Sequence, residues 1–216
     1  MNKKVLILSG SPRKNGNSDI LCDEFARGAM KSGNEVEKIR IAEKKIGYCH
    51  ACYYCRDHDG DCAIKDDMAE VLQKMIEADV IVLASPVYFY SIDAQLKAVI
   101  DRTVARWTEV KNKEFYYIVT CADGEKEAAE TTLACFRGYA DCVNGAVEKG
   151  VIYGKFCLSY YVYIMLYQKI VIVADCPCGR IFNREYRIVR SSLFYFHHSI
   201  FHGFYMINIC VLTKIF

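Results

Sequence analysis

The chain has 216 residues, enough for one domain with a sizeable core, and a formal charge of only +2. That charge is uneven: residues 1–155 hold 22 Lys/Arg and 24 Asp/Glu, whereas residues 156–216 hold six and two. The body therefore offers no general electrostatic case for nucleic-acid binding. The apolar run after Lys3 and Lys4 is too short for a signal peptide, and no small-residue cleavage site follows. A cytoplasmic location is expected, where twelve cysteines stay free thiols, metal ligands or redox centres instead of a disulfide framework.

Val5 to Leu8 is a short apolar strand ending in Ser9-Gly10-Ser11-Pro12. The polar turn Arg13-Lys14-Asn15-Gly16-Asn17-Ser18 follows, then a helix from about Asn17 to Lys31 with Ile20, Leu21, Phe25, Ala29 and Met30 inward and Gly33 as its stop. Strand, Gly/Ser turn and helix build an anion site, because first-turn amides have no partner within the helix and its dipole favours negative charge there. Ser9, Ser11 and Ser18 add hydroxyls, and Arg13 adds a charged fork. Gly10 and Gly16 lie one residue too far apart for a P-loop, and no Gly-x-Gly-x-x-Gly opens the helix. A terminal phosphomonoester is the better match; the competing reading is a turn that binds nothing.

Residues 35–41 alternate as a strand with one solvated face, and residues 43–65 form a loop with four cysteines. Asp66 or Asp67 caps a second helix with Met68, Val71, Leu72, Met75 and Ile76 as its core positions. Asp79 to Ala84 reads as a strand buried on both faces. It stops at Ser85-Pro86-Val87-Tyr88-Phe89-Tyr90, and a third helix follows from Asp93 to Trp107 with Leu96, Val99, Ile100 and Val104 inward. Phe115 to Cys121 is a fourth strand closing on Ala122-Asp123-Gly124, residues 125–142 a fourth helix, and Gly145 to Tyr153 a fifth strand. Alternating strands and helices predict a three-layer α/β fold: a five-stranded parallel sheet of flavodoxin-type order 2-1-3-4-5 with helices on both faces. Its ligand crevice lies outside the carboxyl ends of strands 1 and 3, where the Ser9–Ser18 and Pro86–Tyr90 loops emerge.

Cys49-x2-Cys52-x2-Cys55-x6-Cys62 lets three thiols face one centre from a tight loop, with a fourth to close the cage. This compactness suits a [4Fe-4S] cluster better than zinc, which more often takes two separated Cys-x2-Cys knuckles; bare reduced thiols are the third reading. His50 and His58 read as solvent-side residues of this loop, residues 47–63.

Four stretches in order carry a family resemblance: GSPRKNGNS, CHACYYCRDHDGDCAIKDDM, ADVIVLASPVYFYS and AQLKAVIDR. Over roughly residues 3–154 the chain resembles the flavodoxin-like NADPH-dependent FMN reductase family, in particular its iron–sulfur flavoprotein branch. The resemblance implies noncovalent FMN in a homodimer or homotetramer. By position, Ser9, Ser11, Arg13, Asn15, Asn17 and Ser18 would hold the FMN phosphate. Pro86, Val87, Tyr88 and Phe89 would line the isoalloxazine, and Thr120, Ala122, Asp123 and Gly124 would complete the crevice. It also implies a [4Fe-4S] cluster on Cys49, Cys52, Cys55 and Cys62. The expected activity is a flavin-dependent oxidoreductase taking electrons from NAD(P)H or a ferredoxin-like partner and passing them to a small-molecule acceptor; no catalytic acid or base is assigned. The rival readings are a non-enzymatic flavin/iron–sulfur carrier and an inactive product with a damaged C-terminus.

The damage reading comes from residues 155–216. They hold 14 of the 27 phenylalanines and tyrosines but two of the 13 glycines, with no helical stripe where the family adds a last helix. A frameshift near residue 155 accounts for this better than an appended module around Cys176-Pro177-Cys178. A membrane segment at Ser191–Thr213 is disfavoured by His197, His198, His202 and Asn208.

Overall fold

The computed structural model describes residues 2–123 and 126–154. Gly124 and the whole 155–216 tail, with the expected loss or replacement of the last helix, lie outside the described residues.

Strands β1 (Lys4–Ser9), β2 (Glu35–Arg40), β3 (Val80–Pro86), β4 (Glu114–Thr120) and β5 (Val147–Gly154) form one sheet in the order β2-β1-β3-β4-β5. All four pairings are parallel, as the sequence predicts. Helices α1 (Asn17–Lys31), α2 (Met68–Glu77), α3 (Ala94–Arg102) and α4 (Glu127–Asp141) make the crossovers. Successive residues of a strand face opposite sides, so the sheet serves two cores. Leu6, Leu8, Ile81, Leu83, Phe115, Tyr117 and Val119 pack against α2, α3 and α4. Val5, Ile7, Val80, Val82, Tyr116 and Ile118 share the other core with Leu21, Cys22 and Phe25 of α1. Among the described residues no helix is long and apolar enough to cross a membrane.

Two helical faces differ from expectation. On α1 the inward stripe is Ser18, Leu21, Cys22, Phe25, Ala26 and Ala29, whereas Ile20 and Met30 are exposed. Small residues fill positions where a helix lies close to a sheet, and the two bulky side chains fall outside that contact. The third helix ends at Arg102, five residues early, and continues as short 3-10 turns at Thr103–Ala105 and Trp107–Glu109. Leu96 and Val99 are buried and Ile100 is half-buried, but Val104 on the first of those turns is exposed. The 3-10 turn changes the angular spacing, so the helical period no longer carries Val104 inward.

Candidate functional site

Three loops meet at the carboxyl end of the sheet. The first follows β1, where Gly10 N donates to Ala84 O of β3 at 2.9 Å. The second follows β3, where Val87 N donates to Thr120 O of β4 at 2.8 Å. The third starts at Cys121, whose N–H donates to Gly154 O of β5 at 2.8 Å. A hydroxyl pair also joins the first and third: Ser18 Oγ and Thr120 Oγ1 are 2.6 Å apart, both buried. The structure thus brings the three expected loops to one end of the sheet, and Ser18 has part of its bonding capacity engaged by Thr120.

The loop of residues 9–18 is built to leave donors open. Gly16 is the N-cap of α1 and supplies no side-chain cap. The amides of Asn17, Ser18 and Asp19 fall in the first turn, where a helix offers them no acceptor. Ser9 Oγ is buried and makes no hydrogen bond of normal geometry, although it lies near the Cys22 thiol. Ser11 is buried, and its Oγ accepts from Arg13 N at 3.3 Å. Arg13, Lys14 and Asn15 are exposed, and neither cation pairs with a carboxylate among the described residues. An orphaned hydroxyl, open amides and uncommitted cations around one helix N-terminus fit a phosphate.

Behind this loop sits an ion cluster that sequence reasoning missed. Asp19 in the first turn of α1 is 2 % exposed. Its Oδ1 accepts from Lys38 Nζ at 2.9 Å and lies 3.3 Å from Arg40 Nε, and its Oδ2 accepts from Asn15 N at 2.8 Å. Burial pushes the Asp19 pKa up, but the Lys38 and Asn15 hydrogen bonds and the Arg40 charge outweigh it and hold the group below the usual carboxylate range. Lys38 also bonds Asp23, and its own pKa is raised against the effect of burial. The Asn15 bond matters because Asn15 has φ 57, the left-handed region in which asparagine is among the tolerated residues. A signal was present: Lys38 and Arg40 are two apart on a strand and so share a face, and Asp19 stands three residues after the N-cap, where acids reach back to loop amides.

Asp93 ties the first loop to the second. It is fully buried at the N-cap of α3, where its Oδ1 accepts from Leu96 N at 2.9 Å. Ser85 Oγ lies 2.7 Å from Asp93 Oδ2 and accepts from Asp93 N at 2.9 Å. Burial raises the Asp93 pKa, partly offset by the Leu96 amide and the Ser85 hydroxyl. A Cβ on Gly10 would stand 2.1 Å from Asp93 Oδ2, so only glycine lets the end of β1 lie against this carboxylate. In the second loop Tyr88 and Ser91 exchange both backbone bonds, at 2.9 and 3.0 Å. The two residues between them, Phe89 and Tyr90, have φ 49 and 61, the signs of a type I′ turn. Asn-Gly is usual there; two aromatics are strained, and strain of this kind collects at ligand sites. Pro86 and Val87 are half-buried, while Tyr88, Phe89 and Tyr90 turn outward and Phe89 is fully exposed. Ala122 and Asp123 are exposed beside Thr120.

The cysteine loop emerges from the same end of the sheet, after β2. Cys49 and Cys52 are exposed, Cys55 and Cys62 half-buried, and all four are free thiols. The backbone takes positive φ at Ala51, Tyr53, Asp59 and Gly60, and Cys49 Sγ accepts from Ala51 N at 3.4 Å. Four accessible thiols on one tightly turned loop are the donor chemistry of an iron–sulfur site. Among the described residues no three His, Cys, Asp or Glu side chains are gathered at metal-binding distance. His58 is exposed and stacks on Tyr54 with centroids 3.6 Å apart, as a solvent-side residue would. At the stems, Asp67 is the N-cap residue of α2 but makes no side-chain cap bond, and Asp66 before it accepts from Met68 N at 3.1 Å. Asp67 instead accepts from Lys45 N at 2.7 Å. Arg102 bridges Asp66 to both stems, a contact the sequence did not disclose.

Comparison with known proteins bears on the family and the fold. An iron–sulfur flavoprotein of Methanocaldococcus jannaschii is 45 % identical over 100 residues, covering 46 % of this chain and 51 % of the relative. One from Archaeoglobus fulgidus is 35 % identical over 159 residues, covering 71 % of this chain and 78 % of that one. The chain spans about half the length of the first curated relatives it matches. Among solved structures, an NAD(P)H:quinone oxidoreductase from Methanothermobacter marburgensis superposes with a TM-score of 0.58 at 15 % identity, covering 73 % and 86 % of the two chains, a likeness of fold. The profile of the NADPH-dependent FMN reductases matches residues 3–147, and the chain belongs to that family, in its iron–sulfur flavoprotein branch.

Proposed function

We propose that the protein is an FMN-dependent oxidoreductase. The observation that carries this is the pairing of an uncapped helix N-terminus, with its orphaned Ser9 hydroxyl, and the strained Pro86–Tyr90 turn across one crevice. Ser9, Ser11, Asn17 and Ser18 contribute hydroxyl, side-chain amide and backbone donors to the phosphate, and Arg13 closes over it from the exposed side. Asn15 contributes its backbone conformation more than its side chain, since its N–H is engaged by Asp19. Pro86, Val87, Tyr88 and Phe89 would give the isoalloxazine an apolar wall, and Thr120, Ala122 and Asp123 would border its other side, with Gly124 following them in sequence. When bound, FMN supplies hydride and single-electron chemistry at its ring. The chain's own part is to bind the phosphate, orient the ring and leave one face open near Tyr88 and Phe89 for NAD(P)H, or a redox partner, and a small acceptor.

Cys49, Cys52, Cys55 and Cys62 are the residues that would hold a [4Fe-4S] cluster, which would supply one-electron exchange beside the flavin. A cytoplasmic setting, where these thiols stay reduced, and assembly as a homodimer or homotetramer complete the proposal.

Anaerobic purification tests it. Two flavin absorption bands, one FMN per chain and steady NAD(P)H oxidation with a quinone are the expected result; a broad shoulder with four irons per chain adds the cluster. A colourless protein that takes up no added FMN overturns the reading. Flavin bleached by reduced ferredoxin and never by NAD(P)H would replace the enzyme with a carrier.

A further inference from the structure

We propose that Arg102 is the positioning residue of the cysteine loop, a buried guanidinium that clamps the two stems at the points nearest the four thiols. The inference rests on the reading of that loop as a thiolate site. Arg102 is the last residue of α3 and is 2 % exposed. Its Nη1 donates to Gly47 O at 2.8 Å, two residues before Cys49. Its Nη2 donates to Ile64 O at 3.2 Å, two residues after Cys62. Both nitrogens also grip Asp66, at 2.9 and 3.0 Å, and Asp66 Oδ2 in turn accepts from Gly47 N at 2.8 Å. The incoming and outgoing stems are thus held to one planar fork.

Further out the stems are also paired, Lys45 N to Asp67 Oδ2 at 2.7 Å and Asp67 N to Lys45 O at 3.0 Å, and Arg102 is the side chain that joins them next to the thiols. Residues 48–63 are exposed or half-buried, and their regular structure is a three-residue 3-10 turn at Tyr54–Arg56. Their backbone bonds are local, such as Gly60 N to Cys55 O at 2.9 Å and Asp61 N to His58 O at 2.8 Å. They shape the interior of the loop and leave the spacing of its ends to the stems. The far side leans on the 3-10 turns after α3, where a Cβ on Gly60 would stand 2.5 Å from Arg106 Cγ. Lysine cannot replace the Arg102 guanidinium, because a point donor does not span two carbonyls and a bidentate carboxylate.

The test is Arg102→Lys in the full chain, reconstituted anaerobically with ferrous iron and sulfide beside the wild type. Iron and sulfide per chain, the electron paramagnetic resonance signal after dithionite, FMN content and thermal midpoint are read on the same samples. The expected result is at least a five-fold loss of bound iron with FMN content unchanged. Wild-type iron content with an unaltered signal overturns the inference. If the wild type itself takes no iron, the cluster reading fails, and the clamp is judged on thiols: Cys62 in the variant should alkylate at least five-fold faster relative to the exposed Cys142, and an unchanged ratio overturns it. Should Arg102→Lys not fold, Asp66→Asn, which keeps both carbonyl contacts, takes its place with a two- to five-fold loss of iron expected; no loss overturns the inference.

Discussion

Replacing Asp19 with alanine asks whether the phosphate loop is shaped from behind. The carboxylate makes one bond to the loop, from Asn15 N at 2.8 Å, and is itself locked by Lys38 at 2.9 Å and Arg40 at 3.3 Å. A hydrogen bond to a charged group in a partly buried setting is worth about 2 kcal/mol. If that bond holds Asn15 at φ 57, its loss lets the loop leave the conformation that presents the Asn17–Asp19 amides. The cost falls on the bound state and corresponds to roughly a thirty-fold rise in the FMN Kd. Flavin fluorescence quenching measures this, with riboflavin as control because it lacks the phosphate. Riboflavin affinity should stay within about two-fold, and Asp19→Asn, whose amide oxygen can still accept from Asn15 N, should recover most of the loss. Equal weakening of FMN and riboflavin would mean that Asp19 supports the domain and not the phosphate loop. Unchanged FMN affinity would refute the reasoning outright.

Four further outcomes are expected. Gly10→Ala drives a methyl into the Asp93 carboxylate at 2.1 Å and should destabilise by about 1–3 kcal/mol or more, read as a lower thermal midpoint together with lost FMN binding. The double variant Phe89→Asn, Tyr90→Gly relaxes two left-handed residues and should raise apoprotein stability by about 1 kcal/mol in a denaturant titration while weakening riboflavin as much as FMN. Burial pushes the Cys22 thiol up to about 12, so native-state alkylation at pH 8 followed by mass spectrometry should label Cys49 and Cys52 and leave Cys22 intact. Because the folded-state pKa of Asp19 lies below its unfolded value near ~3.9, its ionic contribution is present above that value and is lost as pH falls through the folded one. The stability gap between wild type and Asp19→Asn should therefore be constant from pH 7 to pH 5 and shrink towards pH 3.

The sheet was legible because its strands are short, apolar and punctuated. Val80–Ala84 is buried throughout, as a central parallel strand must be, and all five strands stand within two residues of their expected positions. The crevice was legible because topology sends the loops after β1 and β3 to the same end. Pairings between segments distant in sequence were not. The partners of Arg102 at Gly47, Ile64 and Asp66 lie 55, 38 and 36 residues away and are brought to it by the fold. Asp93 opens the third helix in the sequence, and its contact with Gly10 requires two loops more than eighty residues apart to touch. Side-chain exposure was similarly local to the fold: Ile20 and Met30 satisfy the helical period, but only the path of α1 over the sheet decides that Cys22 and Ala26 go in instead. Tyr88 and Phe89 sit in the expected loop, and their outward turn follows from a hairpin geometry that their residue types do not advertise.

Helix α3 acts as a ruler. Its N-cap, Asp93, is fastened beside the loops after β1 and β3, which are proposed to hold FMN, and its last residue, Arg102, is fastened to the stems of the cysteine loop. Nine residues of α-helix measure about 13.5 Å at ~1.5 Å each, and that length sets how far apart the two sites can stand. The ruler has a phase as well as a length. Deleting one residue would shorten it by ~1.5 Å and also turn Arg102 by ~100° about the helix axis, away from Gly47 and Ile64. A change in the separation of the two sites by this route is therefore available only in whole turns, with three- or four-residue insertions keeping both ends fastened.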